Sequence, residues 1–255
     1  MDNKRKKENG IKVGLITTLL YLIIMGLGMF FMNRIFHYSY NNTNMVKVIF
    51  FVELVLTGLL ILVTKKYYGF KKIGFKRLRI TQLKWFIPSM ILISIMTFSY
   101  GKALICSFGT LDKSKLILLF IIAITTFLVG FSEEVMFRGI LLHSFANKKK
   151  LYLGLFISSV LFALIHSVNI LGGMPFEEMI TQVVSSFLLG FFFAPLAIKL
   201  KSLIPLIIFH WLWDCILISS TVIPIEIGIL PVFQMIFNVL LGVILWISVR
   251  KDKAV

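Results

Sequence analysis

The sequence predicts an all-α polytopic membrane protein with eight transmembrane helices and both termini in the cytoplasm. Of its 255 residues, 58% are hydrophobic and 14% are aromatic, which is more apolar surface than a soluble domain of this size needs. Several apolar runs approach the ~20 residues that cross the hydrocarbon core of a bilayer as a helix. Basic residues are concentrated in alternate connections between these runs, which gives the orientation.

The apolar runs follow one another with short polar connections between them. The first run comes directly after a basic start, but it is too long for a signal peptide and no small-residue cleavage site follows it. We therefore expect it to remain as a span. The predicted spans are residues 13–33, 47–64, 85–106, 115–145, 151–168, 178–199, 203–220 and 227–249. They form one membrane domain, 13–249, between the tails 1–12 and 250–255.

Lysine and arginine are frequent at one end of the predicted bundle: in both tails and after the second, fourth and sixth spans. The connections at the other end are poor in them, and those after the fifth and seventh spans have none. Because basic loops stay in the cytoplasm, this asymmetry places both termini inside. It also accounts for the formal charge of +16, so we predict the lipid bilayer as a partner and no nucleic acid.

The most basic connection is the linker 65–84. Its simplest interpretation is a topology signal; an interfacial helix on anionic lipid is the alternative. Cys106 and Cys215 lie far apart and form no CxxC pair, so they indicate neither a disulfide framework nor a metal site.

A charged stretch interrupts the fourth run. Glu133, Glu134 and Arg138 lie in an otherwise apolar segment, and a charge at bilayer depth costs at least ~2.5 kcal/mol, so such residues are usually functional. On a helix, Glu134 and Arg138 are four residues apart with the acid first, the order that favours an ion pair. Glu133 points about 100° away and has no cation of its own. We expect Glu134 to be structural and Glu133 to be free for chemistry.

Two other spans carry polar groups at membrane depth. His166 lies about as far after Lys149 as Glu133 lies before it, so an antiparallel hairpin would bring both side chains to the same height. His210 and Asp214 are four residues apart on the seventh span, hence on one face. A single buried histidine most often makes an ordinary hydrogen bond between two helices. Acids and bases on three helices at compatible depth indicate a functional site instead.

The remaining polar positions have simpler interpretations. Phe162 lies one turn from His166 and is expected to pack against its ring. His37 and His143 are interpreted as ordinary interfacial residues. Gln182 and Gln234 lie in spans but are isolated from other polar groups.

Three ordered motifs resemble those of the CPBP family, the intramembrane endopeptidases that include type II CAAX prenyl proteases and bacterial Abi proteins. The motifs are Glu133-Glu134-x-x-x-Arg138, Phe162-x-x-x-His166 and His210-x-x-x-Asp214. The resemblance covers spans four to seven, roughly residues 115–220, which we take as the catalytic core. Each motif alone is weak, but all three in order in an eight-helix membrane protein are specific.

The resemblance implies a protease whose cavity opens to the cytoplasm. Glu133, with His166, would activate a water that attacks a peptide carbonyl, and His210 and Asp214 would stabilise the oxyanion. A carboxylate in a low-dielectric site suits a general base near neutral pH, and an imidazole N–H can contribute on the order of 3 kcal/mol to an oxyanion. The supporting residues would be Glu134, Arg138 and Phe162.

Asp214 departs from the prenyl-protease branch, which has asparagine there. An ionised aspartate can only accept hydrogen bonds, so Asp214 would be a protonated donor, an orienting partner of His210 or a metal ligand. The last role keeps a zinc-dependent alternative open, with His166, His210, and Asp214 or Glu133 as ligands. Since no HExxH motif is present, we favour a mechanism that requires no cofactor.

The expected substrate is a peptide or a membrane protein. The composition is typical of a bacterial plasma-membrane protein, and the resemblance implies bacteriocin immunity or peptide processing as settings. One competing hypothesis is a non-catalytic scaffold or regulator of a partner protein. Another is a secondary transporter that uses the same residues as a proton relay, but the inverted repeats and broken helices typical of transporters are not found in the sequence.

Overall fold

The computed structural model describes residues 2–145 and 150–251, with side chains for 10–145 and 150–249. In these ranges the chain is helical and has no strand, which confirms the all-α membrane class. Lys148 and Lys149, at the predicted hairpin tip, lie outside the described residues. The helices are α1 (Asp2–Arg34), α2 (Met45–Val63, then a π-helix Thr64–Tyr68), α3 (Ile87–Ser107), α4 (Lys113–Glu133, then a π-helix Glu134–Leu141 and a turn Leu142–Ser144), α5 (Leu151–Leu164, then a 3-10 helix Ile165–Gly172), α6 (Phe176–Leu200), α7 (Ile204–Ser219) and α8 (Leu230–Lys251).

Each predicted span corresponds to one of these helices. Seven of them are long and apolar enough to cross a membrane, and the shorter α7 has 16 residues, about 24 Å at 1.5 Å per residue. Helix α1 already begins at Asp2, so residues 2–12, expected to be a tail, continue the first helix. At the other end α8 extends to Lys251, and residues 252–255 of the predicted tail lie outside the described ranges.

The sequence analysis assumed that the charged stretch of α4 is a regular α-helix. In the structure most of it is a π-helix. The helix begins at the N-cap Asp112, whose side chain accepts the Lys115 N–H, and becomes a π-helix at Glu134. The Ser158 hydroxyl donates to the Phe137 carbonyl at 2.8 Å, and the His143 ring contacts the Arg138 and Gly139 carbonyls at 3.0 and 2.9 Å. Side chains thus supply hydrogen bonds to this segment, and π-turns are frequent at functional sites.

The basic linker between α2 and α3 folds back against the helix ends. Its basic residues are exposed, whereas Ile73 is fully buried and lies against Gly139 together with Leu203. Backbone bonds fix the contact: the Leu203 N–H donates to Gly74 and the Arg79 N–H to Leu200, both at 3.0 Å. The linker therefore packs as a plug at this end of the bundle, and only Ile80–Trp85 within it is helical, as a 3-10 helix.

Two apolar clusters flank the polar site. One joins α1, α2, α5 and the π-segment of α4, and the other joins α3, α6 and α7. Between the clusters, α4 and α7 approach closely at Gly130, where an added Cβ would lie 3.0 Å from the Trp211 nitrogen and 3.3 Å from the Ile207 oxygen. This approach brings the acidic pair of α4 against the histidine of α7.

Candidate active site

Glu134 lies at the centre of the buried polar network. Its Oε1 accepts from Arg138 Nη1 at 3.0 Å and lies 3.0 Å from Nδ1 of His210. Glu134 and Arg138 are both fully buried, so the ion pair expected from their spacing is present. The contact with His210 was not expected. Through this contact Glu134 can also hold the His210 ring in place, because a hydrogen bond from a proton on Nδ1 fixes the orientation of the ring.

The guanidinium of Arg138 is held between aromatic rings. It lies 3.8 Å from the ring centre of Phe162 and 5.5 Å from that of Phe193. Its Nε and Nη2 make no hydrogen bond to the described part of the chain. Cation–π attraction and the ion pair with Glu134 therefore offset the cost of burying this charge.

Glu133 differs from its neighbour as the sequence analysis expected. It lines the central cavity and has no arginine or lysine partner among the described residues. Its Oε2 lies 3.6 Å from Nε2 of His210, which is beyond hydrogen-bond distance. This oxygen makes no hydrogen bond to the described part of the chain. A carboxylate in this position can accept a proton from a water in the cavity.

His210 is surrounded by carboxylates. Nδ1 faces Glu134, while Nε2 lies 3.3 Å from Oδ2 of Asp214 and 3.6 Å from Glu133. His210 is buried, whereas the Asp214 side chain is 26% exposed and faces the cavity. An imidazole can donate from both nitrogens only when it is protonated, so these neighbours favour a ring with two N–H groups.

His166 lines the same cavity from α5, but it is the least connected member of the predicted set. The Phe162 ring meets it edge-on at 5.5 Å, as the spacing predicted, and also meets His210 at 6.0 Å. In the described residues His166 makes no hydrogen bond or ion pair with Glu133. The two groups share a cavity, and a water or substrate would have to connect them.

The residues interpreted as peripheral have different surroundings. His37 is exposed in the connection between α1 and α2, and His143 is half-buried against the π-segment carbonyls. Gln182 and Gln234 are not isolated. Gln182 accepts from Asn169 at 2.7 Å and donates to the Tyr40 hydroxyl at 3.0 Å, and Gln234 donates to Ser89 and Asn238.

Sequence reasoning missed one buried acid, Glu53 of α2. Its Oε2 accepts from the Ser132 hydroxyl at 2.6 Å, and that hydroxyl also bonds the Tyr21 hydroxyl at 2.8 Å. Both Glu53 and Ser132 are fully buried, and Ser132 directly precedes Glu133. Glu53 could have been found by the rule applied to the other acids, because it is the one carboxylate within the second predicted span.

The cavity has a volume of about 730 Å³. Among its lining residues are Glu133, His166, His210 and Asp214. Its other polar lining groups are neutral amides and hydroxyls, and no lysine or arginine of the described chain lines it. This volume lies within the range of pockets that bind small molecules, and it could hold a few residues of a peptide.

The cavity extends toward the end of the bundle that is poor in basic residues. It is lined by the C-terminal half of α1, the N-terminal half of α2 and the connection between them, which contributes Tyr40, Asn41 and Thr43. At the opposite end, Ile73 and Leu203 close against Gly139. The expected cytoplasmic opening is therefore incompatible with the expected cytoplasmic termini, since the termini and the mouth lie at opposite ends.

A zinc centre would need at least three of the predicted ligands to converge on one point. No three His, Cys, Asp or Glu side chains of the described residues are placed to hold a metal ion. Both nitrogens of His210 face carboxylates, so a metal would have to displace one of them. As arranged, the predicted set of His166, His210 and Asp214 or Glu133 does not fit a metal centre.

Comparison with known proteins yields one match. Residues 115–216 match the family model described as type II CAAX prenyl endopeptidase Rce1-like, which is less than half of the chain. Neither a curated protein nor a solved structure matches. All three motifs lie within the matched segment, and this confirms the resemblance to the CPBP proteases. The segment that carries the polar residues of α4, α5 and α7 is therefore similar to the Rce1-like type II CAAX prenyl endopeptidases over residues 115–216.

Proposed function

We propose that the protein is an intramembrane endopeptidase that hydrolyses peptide bonds with Glu133 as general base. The observation that carries the proposal is the difference between the adjacent acids. Glu134 is bound to Arg138 and His210, whereas Glu133 has no cation other than the His210 ring and lines the cavity. An unpaired buried carboxylate beside a positioned imidazole is the arrangement that a water-activating protease needs.

The proposed reaction begins with a water held between Glu133 and His166. Glu133 takes a proton while the water oxygen attacks the carbonyl carbon, and the carbonyl oxygen becomes an oxyanion. The N–H of His210 on Nε2 stabilises this oxyanion. Glu133 then returns the proton to the amide nitrogen as the C–N bond breaks, which leaves a carboxylic acid and an amine.

Asp214 orients His210 in this mechanism; it is neither a protonated donor nor a metal ligand. Its Oδ2 lies 3.3 Å from His210 Nε2, so in the absence of substrate it accepts from the ring and keeps that nitrogen directed into the cavity. An arriving oxyanion would compete for the same N–H, and Asp214 can turn aside because its side chain is partly exposed. The proposed chemistry requires no cofactor.

The proposed setting is a bacterial plasma membrane, with peptide processing or bacteriocin immunity as the biological role. The apolar helices and the match to a protease family support a multi-pass membrane protein. A non-catalytic scaffold would keep the fold without needing an unpaired acid in the cavity. Cleavage by the wild-type protein distinguishes the two.

The test uses purified full-length protein in detergent and a panel of hydrophobic leader peptides, with mass spectrometry of the products. Wild type should cleave, Glu133→Gln should lose about 10²–10⁴-fold in kcat, and His37→Ala, an exposed residue away from the cavity, should be unchanged. Absence of cleavage by wild type would favour the scaffold. Loss of activity with chelator and its return with zinc would establish the metal-dependent alternative.

A further inference from the structure

The position of the cavity bears on where the substrate comes from. Helices α1, α2, α5, α6 and α8 line the cavity with the half that borders the basic-poor connections. The lining runs from Phe162 to Asn169 on α5 and from Thr181 to Leu189 on α6. On α4 it lies around the middle of the helix, from Thr125 to Glu133, and on α7 it runs from Phe209 to Ile218. Helix α8 contributes only its beginning, Pro231 to Asn238.

The other end of the bundle is closed. Gly139, one turn beyond Glu134, touches Ile73 and Leu203, and Phe75 forms a β-bridge with Ser202. The exposed basic residues of the same linker mark this end as cytoplasmic. The plug and the charges therefore lie on one side, and the cavity lies on the other.

We propose that the substrate reaches Glu133 from the extracytoplasmic face, and that it is a peptide segment with neutral or basic residues around the scissile bond. This rests on the proposed function and gives it a substrate class. The lining contains the carboxylates Glu133 and Asp214 and no lysine or arginine among the described residues. Acidic side chains next to the scissile bond would be repelled at this low dielectric.

The mouth is already organised to receive a peptide. Asn169, Gln182 and Tyr40 form a hydrogen-bonded chain that ties α5, α6 and the connection after α1 together. Across the mouth, the Thr43 and Thr221 hydroxyls bond each other at 2.8 Å. Neutral amides and hydroxyls of this kind can exchange hydrogen bonds with a peptide backbone without selecting a charge.

The sidedness test labels single cysteines with a charged, membrane-impermeant thiol reagent in intact and permeabilised cells. The native Cys106 and Cys215 are replaced by serine. The reporter is Ser186→Cys, a half-buried position that lines the cavity; Thr221→Cys at the mouth is a second reporter should the first variant fail to fold. The control is Lys76→Cys, exposed on the basic linker.

The cavity reporter should react in intact cells, and the linker control only after permeabilisation. Reaction of the reporter only after permeabilisation, or in neither condition, overturns the proposal. In a parallel assay on purified protein, matched peptides with lysine or glutamate beside the cleaved bond should differ at least about tenfold in kcat/KM, with lysine preferred. Preference for glutamate overturns the substrate class.

Failure of this inference and failure of the protease proposal give different results. A wild-type protein that cleaves peptides, with a cavity labelled only from inside, removes the extracytoplasmic route alone. If the cavity is labelled from outside but the protein cleaves no peptide, the protease proposal is wrong and the proposal of extracytoplasmic access still stands.

Discussion

At the scale of single residues, the site gives two adjacent acids of the same chemistry different surroundings. Glu134 is fully buried and bound on both sides, by Arg138 and by His210. Glu133 has only the distant contact with His210 and opens on the cavity. The α-helix gives way to a π-helix between them, and adjacent helical residues in any case point in different directions.

This division predicts that Glu134→Gln destabilises the protein much more than Glu133→Gln. Removing the Glu134 charge leaves Arg138 buried without a counter-ion, and breaking a buried pair costs about 3–5 kcal/mol. The loss of Glu133 breaks no such pair. Thermal unfolding of both variants in the same detergent measures the difference. Equal melting temperatures would show that Arg138 is held by its aromatic neighbours instead.

Glu53 leads to a second prediction at this scale. Glu53→Leu removes the carboxylate that accepts from the buried Ser132 hydroxyl, which also bonds the Tyr21 hydroxyl, and this costs about 1–3 kcal/mol. Glu53→Gln keeps an oxygen that can accept and should retain most of the stability. Chemical unfolding of the two variants measures the difference, and equal loss in both would mean that the charge itself is required.

The sequence predicted the residues of the site better than their contacts. The spacing of Glu134 and Arg138 indicated their ion pair because both lie on one helix face. The contact of Glu134 with His210 depends on how α4 and α7 pack, and nothing in either motif alone encodes that distance. Glu53 was missed because it lies outside the three motifs, on a helix without a recognised signature.

At the scale of helices, the site depends on the close approach of α4 and α7. Gly130 permits this approach, since a side chain there would meet backbone atoms of α7 that cannot move aside. The number and positions of the helices could be read from hydropathy because length and apolarity set them, although α1 begins earlier than its apolar run. The π-helix could not, because it depends on partners supplied by other helices, such as Ser158.

We therefore expect Gly130→Ala to impair catalysis by moving His210 away from the acids of α4. A displacement of about 1 Å can cost about 10²-fold in rate, and kcat/KM on a cleaved peptide measures it. The matched control is Gly58→Ala on α2, where an added Cβ meets nothing within 4 Å; alanine there should be neutral or stabilising by up to ~1 kcal/mol. A similar loss in both variants would contradict the packing argument.

At the scale of the whole molecule, the linker between α2 and α3 acts as both a charge signal and a plug. Its lysines and arginines are exposed, and the positive-inside rule predicts that this end faces the cytoplasm. Its buried Ile73 closes the bundle at that side. This contact could not be predicted, because a single apolar residue in a basic linker has no periodic pattern that would indicate burial. The position of the cavity within the bundle follows from this packing.

The orientation of the chain depends on whether α7 crosses the bilayer, since its 16 residues span only about 24 Å. A cytoplasmic reporter such as a fluorescent protein should be active when fused after Val255, and also after Ser202, where α6 has returned to the basic end. Fused at Ile225, after α7, it should be inactive, and alkaline phosphatase at that position should be active instead, because only a crossing carries that point outside. Equal fluorescence at Ser202 and Ile225 would mean that α7 does not cross. The C-terminus would then lie outside after the crossing of α8, and the opening of the cavity would have to be assigned again.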